Sequence, residues 1–339
     1  MFYSTIKVKR FLNLIDYLSS DKIINWVKLQ ISYRLSVFGW LRIKNLSPAF
    51  ISVEASNYCN LRCPECPVGI QKKQKSDKAT LDIHLYKKLV DELKPTLQHI
   101  ILYFQGEPFL HHQLHELISY AHKAGIYTST STNGQFINEE TAKKIVLSGL
   151  DKLIISLDGI TQEAYQSYRI GGDLQKTLQG IEELVKWKKL LKSATPLVEI
   201  QFLVLKTNEH QIKEVKQLGK KLGVDKVRLK SAQLYDFENG SALLTSINKY
   251  SRYKKNKSGK YEIKNHQSNR CWRLWSGAVV NTKGDILPCC FDKESEYSFG
   301  NISTGESFHS CWHNEKASDF RGKILQNRKQ FEICRNCTS

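Results

Sequence analysis

Apolar stretches of strand length alternate with segments of helical periodicity between residues 50 and 230. Six stretches have the apolar and β-branched composition of buried strands, at 50–56, 99–104, 126–131, 152–157, 197–205 and 226–230. The segments between them place apolar residues at every third or fourth position, at 82–94, 114–124, 139–148, 174–192 and 211–222. Gly125, Gly149 and Gly223 follow three of these segments, where helix C-caps are expected. The alternation predicts an α/β fold with a parallel sheet and right-handed crossovers.

Six strand–helix units are too few for a complete eight-stranded barrel. They are compatible with an open doubly wound sheet or with a partial (β/α)6 barrel. In both arrangements, chemistry is expected where the strands end, at the carboxyl edge of the sheet.

The regions outside this pattern divide the chain into four parts. Residues 1–47 are predicted to form a helical segment, and 48–235 the α/β domain. Residues 236–270 are polar and basic, which predicts a linker. Residues 271–339 have little periodicity but contain six cysteines, so this small module is expected to need a metal centre to fold.

The composition limits the location and partners of the protein only loosely. The 339 residues include 51 basic and 33 acidic side chains, for a net charge of +18. This excess suits a phosphorylated or nucleotide-linked small molecule, an acidic peptide, nucleic acid or an anionic membrane, but it also suits plain solubility. No apolar run of membrane-spanning length and no secretory signal occur, so we expect a cytoplasmic protein, with peripheral membrane contact through residues 1–47 as an alternative.

Three of the nine cysteines lie close together, directly after the first predicted strand. Cys59, Cys63 and Cys66 have the spacing C-x3-C-x2-C, and this spacing indicates metal ligation rather than a disulfide framework. Three thiolates on one short loop can bind three irons of a [4Fe–4S] cluster and leave the fourth iron open to a small molecule. The alternative is a structural zinc site completed by a distant ligand such as His84 or His111.

The cysteine motif and several shorter motifs over residues 50–235 resemble the radical S-adenosylmethionine (SAM) superfamily. Gln105-Gly-Glu-Pro resembles the Gly-Gly-Glu-Pro motif of that family, Thr132-Asn-Gly its Asn-Gly turn, and Ser156-Leu-Asp-Gly its fourth-strand element. One departure is Glu65, which replaces the usual aromatic neighbour of adenine. The resemblance implies a partial barrel and SAM contacts from Gly106, Glu107, Asn133, Ser156, Asp158, Arg169 and Val204.

The C-terminal cysteines resemble those of SPASM/twitch modules, in an arrangement similar to that of 2-deoxy-scyllo-inosamine dehydrogenase-like proteins. The resemblance implies one auxiliary [4Fe–4S] cluster, with Cys271, Cys289, Cys334 and Cys337 as its ligands. Cys290 and Cys311 remain, and we expect structural roles for both. Considered alone, the module is also compatible with a four-cysteine zinc site.

The resemblance further implies reductive cleavage of SAM to a 5′-deoxyadenosyl radical, with electrons from a donor such as flavodoxin or ferredoxin. Our main hypothesis is oxidation of a C–H bond in a carbohydrate-like or aminocyclitol substrate, with the auxiliary cluster as electron acceptor. The alternatives are a maturase acting on a ribosomally made peptide or protein, and a non-catalytic metal-binding protein. No specific nucleic acid partner is expected. Weak candidates for a proton acceptor are Tyr235, Asp236 and Glu238, which follow the sixth strand.

Overall fold

Six parallel strands lie side by side in the same order in which they occur along the chain. We analysed a computed structural model that describes residues 17–38, 46–70, 77–265 and 268–337. The strands are β1 (Phe50–Val53), β2 (His99–Ile101), β3 (Tyr127–Thr132), β4 (Lys152–Ser156), β5 (Leu197–Val204) and β6 (Lys226–Ser231). Each is paired in parallel with the next. A doubly wound sheet would reverse its strand order, so this sequential order is that of the partial (β/α)6 barrel.

Five of the barrel helices lie where the sequence pattern predicts, and two short ones were not predicted. The two short helices are α2 (Pro67–Ile70) and α6 (Gln162–Gln166), and the other five are α3 (Ile83–Leu93), α4 (Leu114–Lys123), α5 (Glu139–Leu147), α7 (Leu174–Leu190) and α8 (Ile212–Leu222). The N-cap side chains of Asp82 and Asn138 accept hydrogen bonds from the first turns of α3 and α5. Gly125, Gly149 and Gly223 all have positive φ, which confirms that these glycines end helices.

The C-terminal module extends the barrel sheet rather than standing apart from it. Its strands are β9 (Gly277–Val280), β10 (Asp285–Leu287) and β11 (Gly300–Asn301), and its helices are α9 (Arg273–Ser276), α10 (Phe308–His313), α11 (Glu315–Asn327) and α12 (Glu332–Arg335). Strand β9 pairs in parallel with β1, and β10 and β11 continue antiparallel from β9. The result is one nine-stranded sheet in which β1 is an interior strand.

The segment predicted to be a linker contains a folded hairpin. Strands β7 (Tyr253–Lys255) and β8 (Tyr261–Ile263) pair antiparallel within residues 236–270. The Tyr253 side chain is buried, and its hydroxyl donates to Asn336 (2.8 Å) and accepts from the Leu234 N–H (3.0 Å). The predicted linker therefore includes a hairpin, and the buried Tyr253 fastens it between the end of the barrel and the C-terminal module.

One N-terminal helix lies within the predicted helical segment 1–47, of which residues 1–16 and 39–45 fall outside the described residues. Helix α1 (Ser20–Val37) packs Leu29 against Leu46 and Ala49, just before β1. Its Lys22 ammonium donates to the Gly125 carbonyl, just before β3 (2.5 Å). The helix therefore covers the amino-terminal end of the barrel. No helix in the described ranges is long and apolar enough to cross a membrane.

We predict that Tyr253→Phe will lower the free energy of unfolding of the metal-loaded protein by about 1–2 kcal/mol, because it leaves the buried Leu234 N–H without its acceptor. The matched control is Tyr261→Phe, in the same hairpin but only partly buried. Anaerobic denaturant titration followed by tryptophan fluorescence measures both. Equal stability of the two variants would show that the Tyr253 hydroxyl does not fasten the hairpin.

Candidate active site

The three cysteines of the C-x3-C-x2-C motif lie on one loop at the carboxyl end of β1. The Leu61 N–H points at the Cys59 Sγ (3.4 Å), and the Cys66 N–H donates to the Cys63 carbonyl (3.2 Å). All three cysteines contact one small cluster of side chains built from Leu61, Tyr168, Leu205 and Ala232. Burial raises the pKa of the Cys59 thiol to about 12 and also raises that of Cys63. Thiolates in this loop therefore need a bound cation to stabilise them.

The loop after β2 lies directly against the cysteine loop. Gly106 has a φ of +65°, and a Cβ at this position would lie 2.2 Å from the Ser56 carbonyl oxygen. Only glycine fits here, since the conformation is left-handed and the neighbouring atom is backbone. The adjacent Glu107 N–H donates to the Tyr58 carbonyl (2.8 Å), so the Gly-Glu-Pro segment is fastened beside Cys59.

The Glu107 carboxylate is buried and held by three donors. It accepts from the Thr132 hydroxyl (2.7 Å), the Asn133 N–H (2.8 Å) and the Phe109 N–H (3.1 Å). Burial raises the pKa of this carboxyl in spite of these hydrogen bonds, so a ligand cation beside it would favour its charged form. The Asn133 amide also points at the Cys59 Sγ (3.7 Å), which joins the β3 turn to the cysteine loop.

Asp158 and Arg169 form a buried ion pair. The Asp158 Oδ2 accepts from the Arg169 Nε and Nη2 (both 2.6 Å), and its Oδ1 accepts from the Leu203 N–H (2.6 Å). The Arg169 Nη1 extends to the Cys63 Sγ (3.7 Å). We predicted both residues to contact SAM. The pair positions Arg169 at the cysteine loop, and the SAM contacts of both residues stay predictions.

Alternation along β4 and β5 decides which side chains face the barrel interior. Ser156 lies at the end of β4, one residue after Ile155 and one before Leu157, both of which belong to the main core beneath the helices. On β5, Val204 also lies in that core, whereas the following residue, Leu205, belongs to the cluster beside the cysteines. Because successive side chains of a strand point to opposite faces, Leu205 rather than Val204 packs beside the first cysteine loop, and the SAM contact of Val204 stays a prediction.

Three C-terminal cysteines lie near a buried arginine. The Arg328 Nη2 contacts the Cys337 Sγ (3.0 Å). Burial opposes its charge, but Cys271, Cys337 and Cys334 raise the pKa of Arg328 overall. Burial, and then Cys290, Cys271 and Cys334, raise the pKa of Cys289. Arg328 thus lies near three of the four predicted auxiliary ligands, and the fourth, Cys289, lies near two of those three.

The two remaining cysteines lie elsewhere. Cys290 packs against the Phe104 cluster on the barrel side of the module, where the Arg273 Nη1 contacts its Sγ (3.8 Å). Cys311 is fully buried, and a Cβ on Gly300 would lie 2.6 Å from its Sγ. Both placements agree with the structural roles expected from the sequence.

The histidines considered as zinc ligands do not reach the first cysteine loop. The His111 Nε2 bonds to the Leu81 carbonyl (2.9 Å) and its Nδ1 accepts from the Gln113 N–H (3.1 Å), so both ring nitrogens are in use. His84 is exposed on α3. In the described parts of the chain, no three His, Cys, Asp or Glu side chains are arranged around a single ion. Three thiolates on one loop, with no fourth side-chain ligand supplied by these histidines, fit the open-iron [4Fe–4S] cluster.

Two side chains at the mouth of the barrel were not predicted from the sequence. Tyr103 follows β2 and lies near Cys66, Arg169 and Glu107, and burial raises its pKa. Lys293, from the loop after β10, lies over the Phe104 ring (4.4 Å to the centroid), and burial lowers its pKa. The charges that act on Lys293 include Cys66 of the first group and Cys289 of the second, so it lies near cysteines of both groups.

Two residues that depart from the family motifs make hydrogen bonds at the mouth of the barrel. Gln105, which replaces a glycine, donates to the Lys293 carbonyl (2.9 Å) and joins the barrel to the module. Glu65, which replaces an aromatic residue, accepts from the Tyr235 N–H (2.8 Å) and holds the chain after β6 over the cysteine loop. A single sequence gave no signal for either partner.

The proposed proton acceptors lie on the surface of that same chain segment. Tyr235, Asp236 and Glu238 are all exposed. Asp236 accepts from Asn239 (2.7 Å), and Glu238 is 4.0 Å from the Lys260 ammonium. Their surroundings favour none of the three.

Two family models match the chain. Residues 53–198 match the radical SAM superfamily, and residues 271–338 match the SPASM iron–sulfur cluster-binding domain. The first match contains the cysteine loop, Glu107 and Arg169, and the second contains Arg328 and the four predicted auxiliary ligands.

Similar proteins include curated relatives and solved structures. A tungsten-containing aldehyde ferredoxin oxidoreductase cofactor-modifying protein of Pyrococcus furiosus is 24% identical, covering 85% of this chain and 87% of the relative. A PqqA peptide cyclase of Gluconobacter oxydans is 25% identical, covering 71% of this chain and 70% of the relative. The fold is similar to that of BtrN in complex with AdoMet and 2-DOIA (TM-score 0.53, 18% identity, 88% of this chain and 95% of BtrN).

The matched domains, the partial barrel and the two cysteine groups agree with one another. A radical SAM domain binds a [4Fe–4S] cluster and SAM, and a SPASM domain binds auxiliary iron–sulfur clusters. The chain therefore contains a radical SAM domain followed by a C-terminal SPASM domain.

Proposed function

We propose that this enzyme is a maturase that modifies a ribosomally made peptide or a protein. The observation that carries the proposal is the position of the site: the cysteine loop, Glu107 and Arg169 meet at the mouth of a partial barrel. Among the described strands, β6 pairs only with β5, so that side of the barrel has a free strand edge. An extended peptide can pair with such an edge and reach the mouth.

The relatives support a peptide or protein substrate better than the carbohydrate-like substrate of our main sequence hypothesis. Those matching over most of this chain are named a cofactor-modifying protein, PqqA peptide cyclases and mycofactocin maturases, the last at 23% identity in Mycobacterium tuberculosis. A small molecule, phosphorylated or otherwise, is therefore the less favoured substrate class.

Residues of the barrel mouth would hold the cluster and SAM. Cys59, Cys63 and Cys66 would ligate three irons of the cluster, and Glu107 would accept hydrogen bonds from the SAM ammonium. Arg169, held by Asp158, would bind the SAM carboxylate. When bound and reduced, this cofactor pair supplies a 5′-deoxyadenosyl radical that removes a hydrogen atom from a substrate C–H bond.

The charge distribution of the mouth suits this assignment. Ammonium and carboxylate are the two charged groups at the methionine end of SAM, and Glu107 and Arg169 offer one complementary charge to each. Both side chains are held by other protein groups before any ligand binds. Such preorganisation reduces the ordering cost of binding.

The SPASM domain would hold one auxiliary cluster through Cys271, Cys289, Cys334 and Cys337. Arg328 would offset part of the negative charge of four thiolates in a buried site. Four protein ligands leave this cluster no open iron, so it would exchange electrons rather than bind the substrate. Lys293 lies near cysteines of both groups and over the Phe104 ring. A flavodoxin or ferredoxin would supply the low-potential electron.

We predict about eight irons per chain after anaerobic reconstitution, because two [4Fe–4S] clusters are present. The triple variant Cys59→Ala, Cys63→Ala, Cys66→Ala should keep about four irons and form no 5′-deoxyadenosine. Cys290→Ser is the matched control and should keep about eight. Iron and zinc analysis of the three proteins checks this: zinc without iron in the triple variant would contradict the auxiliary cluster.

We predict that Asp158→Asn will raise the SAM concentration needed for half-maximal 5′-deoxyadenosine formation by about tenfold, because Arg169 loses its charged partner. Iron content and the maximal rate should change much less. Glu163→Gln, an exposed change on the neighbouring helix α6, should have no effect. If an Asp158→Asn protein with its full iron content has an unchanged half-maximal SAM concentration, Arg169 does not bind SAM in the way proposed.

The substrate class is tested with synthetic peptides from short open reading frames next to the gene, incubated with reduced enzyme and SAM. A peptide mass change that appears with 5′-deoxyadenosine, and is absent with the triple cysteine variant, supports the proposal. A parallel incubation uses aminocyclitols and nucleotide-linked sugars. Loss of two mass units from one of these, with no change in any peptide, would contradict it and restore the carbohydrate hypothesis.

A further inference from the structure

Helix α1 has an apolar side facing outward and a polar side facing the barrel. Ile23, Ile24, Val27, Ile31 and Phe38 form its outward apolar face, with exposed fractions from 42% at Val27 to 71% at Phe38. At 100° per residue the four helical positions fall within one continuous arc, Trp26, also exposed, lies near its border, and Phe38 directly follows the end of the helix. An ordinary surface helix has the opposite arrangement.

The polar inward side is held by specific hydrogen bonds. The buried Lys22 donates to the Gly125 carbonyl, and its own carbonyl accepts from the Gln98 side chain (3.2 Å). The buried Asn25 amide donates to the Ser47 carbonyl (2.9 Å), and its Oδ1 accepts from the Ser47 N–H (3.2 Å). Rotating the helix to bury the isoleucines would break these bonds, so the fold itself keeps the apolar face outward.

The exposed face of α1 carries two cations, and the segments that precede and follow α1 in the sequence are basic. Arg34 lies within the arc, and Lys28 at its border, and both are exposed. Over residues 1–47 the acidic side chains are Asp16 and Asp21 alone. The basic ones are Lys7, Lys9, Arg10, Lys22, Lys28, Arg34, Arg42 and Lys44. An apolar stripe flanked by cations is complementary to the acyl chains and anionic headgroups of a membrane surface.

We infer that the apolar face of α1 (Ile23, Ile24, Val27, Ile31 and Phe38) docks this enzyme on an anionic membrane surface. Helix α1 covers the amino-terminal end of the barrel, whereas the cysteine loop lies at the carboxyl end of the strands. Docking through α1 therefore leaves the mouth of the barrel facing away from the lipid. The inference is independent of the proposed peptide substrate.

A second copy of the chain fits the same face less well. A symmetric dimer places identical surfaces against each other. Lys28 and Arg34 of one copy would then lie against a surface that carries the same two cations, and like charges across an interface are repulsive. Charge complementarity therefore favours anionic lipid as the occupant.

The test is sedimentation of the full-length, metal-loaded enzyme with vesicles. One set of vesicles contains phosphatidylcholine alone, and the other contains phosphatidylcholine with about 30 mol % phosphatidylglycerol. The phosphatidylglycerol gives the vesicles the negative surface potential that attracts basic segments. We expect binding to the anionic vesicles and weak binding to the neutral ones. Lys28→Gln with Arg34→Gln should weaken anionic binding by about fivefold for each charge removed.

The triple variant Ile24→Ser, Val27→Ser, Ile31→Ser should lose at least about tenfold in vesicle binding, since three apolar side chains no longer enter the lipid. Its iron content and SAM cleavage should be unchanged because all three residues are exposed. The matched control is Leu147→Ser with Leu190→Ser, two exposed leucines on α5 and α7, which should bind like the wild type.

Two results would overturn the inference. One is wild-type sedimentation with anionic vesicles that is no greater than that of the triple serine variant. The other is a concentration-dependent dimer, measured by analytical ultracentrifugation, that the triple serine variant abolishes while vesicle binding persists. The second result would assign the apolar face to a second copy of the chain.

Discussion

The parallel pairing of β9 with β1 determines where the two cysteine groups lie relative to each other. Phe50, Ile51, Ser52 and Val53 pair in register with Gly277, Ala278, Val279 and Val280. Strand β1 ends in the first cysteine loop, and β9 leads through β10 to Cys289. The register of β1 with β9 therefore fixes the positions of the two cysteine groups relative to each other. A slip of one residue would reverse which side chains of β9 face the barrel. Hydrogen bonds from Gln105 to Lys293 and from the Thr282 N–H to Glu54 add side-chain contacts across the same junction.

The barrel interior is polar because only alternate residues of each strand contribute to the apolar core. On β5, Val198, Ile200, Phe202 and Val204 all pack beneath the helices, so Glu199 and Gln201 point the other way. Glu199 is buried and forms ion pairs with Arg228 on β6 (2.7 Å) and Lys152 on β4 (3.2 Å). An ordinary eight-stranded barrel fills its centre with branched apolar side chains. Here charged side chains occupy part of the interior instead.

The two ends of the barrel carry different tasks. At the carboxyl end, buried charges are held in advance of ligand binding, as in the Asp158–Arg169 pair and the Glu107 carboxylate. At the amino end, α1 uses polar contacts to fasten itself and leaves its apolar side chains outward. Both arrangements cost stability, since a buried charge and an exposed isoleucine are each unfavourable by themselves. Sites that violate the ordinary rules of burial are where function is expected.

The strand and helix pattern and the glycine C-caps by themselves determined the α/β fold, and the spacing of Cys59, Cys63 and Cys66 indicated a metal site. The partial barrel, the two domains and the auxiliary cysteine set followed from the resemblance of short motifs to known families. These features depend on local periodicity or on residues close together in sequence. The tertiary structure alone decided that β9 joins β1, that Tyr253 fastens a hairpin within the predicted linker, that Arg328 lies near the module cysteines and that Leu205 rather than Val204 packs beside the first cysteine group. Pairings such as Tyr253 with Asn336 join residues far apart along the chain. Such residues become neighbours only once the strand register is fixed and each helix or strand has turned one face to the core. A single sequence contains no signal that two distant residues will be neighbours.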